Sequence, residues 1–192
     1  MVNNLELIKS LLDFKSDDDF YFVQIILRKK DNPETRGSNN SARIIKAYYI
    51  KSIEQLDKQF EEMVLLATNY NARVGINLNK RSFERMAFHT LKKVTDQILN
   101  KDFKSVRKAY NSVCGAFGTG DKLWIVDIDD PQFDATEVIE FMDNQQPIGQ
   151  KVVAKIPTKN GYHLIVKPFN ATQFTKFGLD LHKNNPTILY IP

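Results

Sequence analysis

The segment Trp124-Ile125-Val126-Asp127-Ile128-Asp129 is the part of this sequence most suggestive of chemistry. Read as a strand, it alternates side chains between two faces. Asp127 and Asp129 then project together, while Trp124, Val126 and Ile128 face the opposite layer. Two residues of strand rise separate the two Cα atoms by roughly 6.5 Å, close enough for both carboxylates to grip one divalent ion or bridge two. Carboxylate oxygens suit Mg2+ or Mn2+, hard ions that keep waters and accept substrate phosphates. Two like charges side by side on an apolar strand also repel unless a cation lies between them. The plainer alternative is a strand that emerges into water at Asp129-Asp130-Pro131, with Asp130 a turn residue.

Two later segments could complete such a site. In Thr158-Lys159-Asn160-Gly161-Tyr162-His163, Asn-Gly signals a tight hairpin turn, and His163 lies two residues into the returning strand. That turn gathers Thr158, Lys159 and His163 near one sheet edge, where hydroxyl, ammonium and imidazole can converge on a phosphate. An ordinary hairpin with a half-buried histidine is the alternative. In Leu179-Asp180-Leu181-His182-Lys183-Asn184-Asn185, Asp180 is either a third carboxylate from a neighbouring strand or a solvated loop aspartate.

Taken in order, the three segments resemble the signature of the archaeo-eukaryotic primase superfamily, the primase-polymerases. That signature is an apolar strand ending in Asp-x-Asp, a Ser/Thr-containing turn with Gly-x-His, and an apolar-Asp strand. The stretch from Asp180 to Asn185 also resembles the third motif in the polymerase domains of bacterial end-joining ligases. The resemblance covers residues 122–192. It implies that Asp127, Asp129 and Asp180 hold two catalytic Mg2+ or Mn2+ ions, and that His163, with Thr158 and Lys159, binds the phosphates of the incoming nucleotide. The implied activity is that of a template-dependent nucleotidyltransferase making or extending primers. Its partners would be a single-stranded DNA template, nucleoside triphosphates and a replicative helicase. The interval from His163 to Asp180 is short for the family. With one cysteine there is no zinc-binding insertion, so a compact phage- or plasmid-type enzyme is the better comparison. A catalytically silent nucleic-acid-binding protein of the same fold and a metal-dependent nuclease using the same Asp pair are the competing readings.

The elements that must position these residues follow from periodicity. Helices are expected over 3–14, 52–68, 82–100, 103–114, 135–142 and 170–177. Ser52 with Gln55 forms a capping box, and Ser82 and Asp134 act as further caps. Strands are expected over 20–27, 44–50, 72–79, 123–129, 152–157, 162–166, 179–182 and 187–191. Residues 29–42 read as an exposed loop flanked by Arg28, Lys29, Lys30, Arg36 and Arg43. The glycine-rich stretch 115–120 is the join between an N-terminal αβ module, 1–120, and a motif region, 121–192. The expected fold class is α+β: an antiparallel, RNA-recognition-motif-like catalytic sheet backed by helices, with the N-terminal module closing the cleft.

Composition sets the frame. A 192-residue chain with 42% hydrophobic and 26% charged residues can bury a core as one compact two-part domain. The lone Cys114 rules out a disulfide framework and a CxxC zinc site, and fits a reducing compartment. No apolar run is long enough to span a bilayer, and Met-Val-Asn-Asn is no signal-peptide start, so a cytoplasmic protein without membrane contact is expected. Residues 1–120 carry a balance of +6 and residues 121–192 a balance of −2, which suits a polyanion cradle beside a carboxylate cluster. Within the basic part, Lys101, Lys104, Arg107 and Lys108 lie at helical spacing and are candidates to track a template strand. The alternating run Val74 to Arg81 leaves Asn77, Asn79 and Arg81 on one face, with Arg81 a candidate phosphate contact. Solvated surface is the alternative for both. The glycine-rich stretch lacks the Gly-Lys-Ser/Thr ending of a nucleotide loop and precedes a strand, and His89 reads as a packed or surface histidine.

Overall fold

The computed structural model describes residues 1–33, 42–118 and 122–192. Arg36 and most of the expected 29–42 loop lie outside the described residues, as do 119–121 of the glycine-rich stretch. The fold is α+β with two antiparallel sheets.

The first sheet contains β1 (Val2–Asn3), β2 (Asp19–Arg28), β3 (Ala42–Ile50), β4 (Arg73–Ser82) and β9 (Thr187–Ile191), in the order β1-β9-β4-β2-β3. Its β2 has apolar side chains on both faces. Tyr21, Val23 and Ile25 pack toward helix α2 (Ile53–Asn69) through Leu56, Met63 and Ala67. Phe20 and Phe22 pack the other way, against Met86 of α3 (Phe83–Leu99) and Val113 and Cys114 of α4 (Ala109–Ala116). The caps act as read: Ser52 Oγ accepts the Gln55 amide at 3.1 Å while the Gln55 side chain accepts the Lys51 amide at 2.8 Å. Ser82 Oγ accepts the Arg85 amide at 3.1 Å.

The second sheet contains β5 (Trp124–Ile128), β6 (Val152–Pro157), β7 (Tyr162–Val166) and β8 (Asp180–His182), in the order β6-β7-β5-β8. Helix α5 (Thr136–Asp143) covers one face, where Val138 and Met142 pack on Val126, Ile128, Leu164 and Val166. Asp134 Oδ1 accepts the Thr136 amide at 3.0 Å ahead of that helix. On the other face, Ile125, Ile156 and Ile165 join the core of the first sheet. That face turns polar farther along the strands.

The parts 1–120 and 121–192 share strand pairing and core, and two other expectations are corrected. The C-terminal β9 pairs with both β1 and β4 of the first sheet, and the main core draws on both halves of the chain. The first helix, α1 (Leu5–Lys9), ends early, because the amides that would extend it are bound elsewhere. Asp13 N–H donates to Tyr21 Oη at 2.9 Å, and Lys15 and Ser16 N–H donate to Asp19 Oδ2 at 2.7 and 3.1 Å. In the 103–114 stretch, regular α-helix begins only at Ala109, after a 3-10 turn over Val106–Lys108.

Candidate functional site

The alternation read from the sequence puts Asp127 on the face away from α5, and register does the rest. Asp127 pairs with His163 on β7 and with Asp180 on β8, so the three side chains form a row across adjacent strands. Asp129 follows two residues along, just past the end of β5. His182 shares the face of Asp180, two residues on, opposite Ile125. A cavity of about 660 Å³ opens onto this row and is also lined by Thr158, Lys159 and Asn160 of the β6–β7 turn. All six residues that the sequence assigned to metal and nucleotide therefore meet at one cavity.

His163 is held from both sides. Its Nε2 lies 3.4 Å from Asp127 Oδ1, and its Nδ1 lies 2.8 Å from the buried Thr187 hydroxyl. A carboxylate at Nε2 calls for a proton there, so in the neutral ring Nδ1 accepts from Thr187. Contact with His163 holds the Asp127 carboxyl below the usual carboxylate range, against the opposing effect of burial. The positive charge of Arg28 acts in the same direction.

The turn carrying Thr158 and Lys159 is seated by Gly161. A Cβ at Gly161 would fall 1.9 Å from the Ile128 carbonyl oxygen, so only glycine lets the turn lie over the end of β5 beside Asp129. The Thr158 amide donates to the Gly161 carbonyl at 2.9 Å and closes the hairpin.

The opposite wall comes from the first sheet and is basic. Arg28, Lys30 and Arg73 line the cavity, and Arg73 makes a two-pronged pair with Asp31, Nε and Nη2 each 2.8 Å from a carboxylate oxygen. Carboxylates on one wall face cations on the other, an arrangement suited to a ligand carrying both metal and phosphate. Arg73, Asp31 and His182 escaped the sequence reading. For His182 a signal was present, since it lies at the same-face spacing from Asp180. Nothing local marked Arg73, which arrives through the pairing of β4 with β2.

Asn77, Asn79 and Arg81 are placed differently from either alternative, and Arg81 as a surface phosphate contact is corrected. All three are buried. They bind the loop from β8 to β9: Asn77 Nδ2 donates to the Asn184 carbonyl at 2.8 Å, and Asn79 Nδ2 to the Lys183 carbonyl at 3.2 Å. Arg81 Nε donates to the Cys114 carbonyl at 2.9 Å, and burial pulls its guanidinium pKa down to about 10. Asn79 also exchanges bonds with the Leu123 backbone just ahead of β5. This polar seam fixes the strand carrying Asp127 relative to the loop that follows Asp180. Lys104, Arg107 and Lys108 are exposed and lie away from the cavity lining.

The donor set of Asp127, Asp129 and Asp180 is all hard oxygen, which fits Mg2+ or Mn2+. Among the described residues no three His, Cys, Asp or Glu side chains stand close enough together to hold a metal ion by themselves. An ion here would draw further oxygens from water or a bound phosphate, as Mg2+ commonly does. Comparison with protein-family models, curated proteins and solved structures finds no match for this chain.

Proposed function

We propose that the cavity binds a nucleoside triphosphate with divalent cations and that the protein is a template-dependent nucleotidyltransferase of the primase-polymerase kind. One observation carries this reading: Asp127, His163 and Asp180, from three separate segments, occupy mutually paired positions across three strands on one cavity wall. Asp127, Asp129 and Asp180 would hold Mg2+ or Mn2+, whose charge neutralises the developing negative charge of phosphoryl transfer. His163 presents Nε2 at the same wall, with its ring orientation set by Thr187. Lys159 and Thr158 on the turn, with Arg28 and Lys30, line the same cavity and would bind a polyphosphate chain. The exposed Lys104, Arg107 and Lys108 are read as contacts to a single-stranded template, binding through phosphate with the salt dependence that follows.

Incorporation of a labelled nucleotide on a primed single-stranded template, with Mn2+ or Mg2+, tests this directly. Activity lost in Asp127→Asn and Asp180→Asn supports it. Degradation of the labelled strand instead identifies a nuclease, and template binding without either reaction identifies a silent binding protein.

A further inference from the structure

Just past β2 the chain folds back on itself. The amides of Asp31 and Asn32 both donate to the Arg28 carbonyl at 3.1 Å, and that turn returns the Asp31 carboxylate to Arg73 on β4. The two side chains pair through both prongs of the fork, with Nε and Nη2 each 2.8 Å from a carboxylate oxygen. They are only 16 and 14% exposed, and both line the cavity. Asp31 takes two of the five N–H groups of the guanidinium. The others have no partner among the described residues.

Holding the turn in place does not require this pair. Asn71 Nδ2 donates to the Asp31 carbonyl at 3.0 Å and Asn32 Nδ2 to the Asn71 carbonyl at 2.9 Å, which already fastens the turn to the approach to β4. An ion pair taken largely out of water also adds little net stability, because lost hydration offsets the attraction. What a two-pronged pair does supply is direction: it locks a flexible side chain with its remaining donors aimed one way. The charge balance says what those donors meet. Burial alone would raise the Asp31 carboxyl, yet Arg73, and more weakly Arg28 and Lys159, hold it below the usual carboxylate range. One carboxylate thus stands among three cations, from β4, β2 and the β6–β7 turn, a surplus of two positive charges at the cavity. Asp127, Asp129 and Asp180 line the same cavity, but on the reading above they are met by metal. We infer, on that nucleotide reading, that Asp31 is a positioning residue: it fixes the Arg73 guanidinium so that its free N–H groups grip a phosphate of the ligand. A guanidinium held in this way recognises phosphate by shape as well as charge, which the ammonium of Lys30 or Lys159 cannot do.

The test is calorimetric titration of the full chain with preformed Mn2+–tripolyphosphate, so that neither base, template nor turnover enters. Charge-preserving variants separate orientation from charge. Wild type should bind, Arg73→Lys should bind roughly fivefold or more weakly, and Asp31→Glu should bind severalfold more weakly as well. In an Arg73→Ala background, Asp31→Glu should have no further effect, because Asp31 acts through Arg73. The variants should melt somewhat lower, so each titration is run well below the melting temperature. Unchanged affinity in Arg73→Lys makes the pair a strand staple and overturns the inference. So does an effect of Asp31→Glu that persists without Arg73. In either case, weaker binding in Lys159→Ala leaves the nucleotide reading standing. A wild type that does not bind tripolyphosphate removes both.

Discussion

Asp127 and Asp180 occupy directly paired positions on neighbouring antiparallel strands, with His163 in the paired position on the other side of Asp127. Like charges directly opposite on a sheet repel. His163 reaches Asp127, its Nε2 lying 3.4 Å from Oδ1. The row is thus a concentration of negative charge whose relief by a cation should be measurable without any assay of turnover.

Mn2+ should stabilise the fold. At a concentration near a hundred times its Kd, a ligand bound only by the native state adds about 2.7 kcal/mol, which for a chain of this size raises Tm by roughly 5–10 °C. Differential scanning fluorimetry should show that rise in the wild type and its loss in Asp127→Asn/Asp180→Asn. The same variant gives up the contact between Asp127 and His163, so without metal it should melt no higher than the wild type. A flat response to saturating Mn2+ would remove the metal site.

Acid should weaken the contact between Asp127 and His163 with a definite sign. The native carboxyl is held below its unfolded value near pH 3.9, so the unfolded chain binds the extra proton. Its stabilising contribution is complete above about pH 4 and disappears as pH falls through the lower native value. Urea unfolding should therefore show the stability gap between wild type and His163→Ala narrowing as pH falls across that range. A constant gap would mean that His163 acts by packing alone.

Gly161→Ala should be severely destabilising for its size. The added methyl would overlap the Ile128 carbonyl oxygen, a backbone atom that cannot swing aside, so a loss of about 3 kcal/mol is expected. Gly178→Ala provides the comparison. There the backbone sits at φ +65° with open space around the site, and the strain alone should amount to about 1 kcal/mol. Equal losses in the two variants would show that the hairpin does not press on β5.

Asn79→Ala should loosen the loop behind Asp180. Its amide accepts the Leu123 N–H at 2.6 Å and donates to two carbonyls, and leaving such groups buried and unpaired costs roughly 3 kcal/mol. Hydrogen exchange at the Leu123 amide should accelerate well beyond that in the α2 core. Unchanged protection there would show that the seam is not what holds β5 to the loop.

Much of the site was legible because its signals are local. Alternation over Trp124 to Asp129 determines which side chains share a face, Asn160-Gly161 determines a tight turn, and Ser52 and Ser82 determine caps, whereas Asp134 lies one residue ahead of the N-cap of α5, Ala135. Each depends only on backbone geometry within a few residues. Local geometry left the three segments separate and only their resemblance to a family signature joined them; the structure brings Asp127, Asp129, Thr158, Lys159, His163 and Asp180 to one cavity. What tertiary structure alone decided is everything that depends on strand partners distant in the chain. Alternation shows that Asn77, Asn79 and Arg81 share a face but not what covers it, and the covering loop lies about a hundred residues away. Strand β9 reads as a C-terminal strand, yet it crosses to the other sheet and delivers Thr187 to His163. The basic wall of Arg28, Lys30 and Arg73 likewise faces the carboxylates only because the two sheets share one core. Side-chain spacing encodes which face a residue occupies, whereas the energy that selects its neighbour comes from burying apolar surface between elements the sequence keeps far apart.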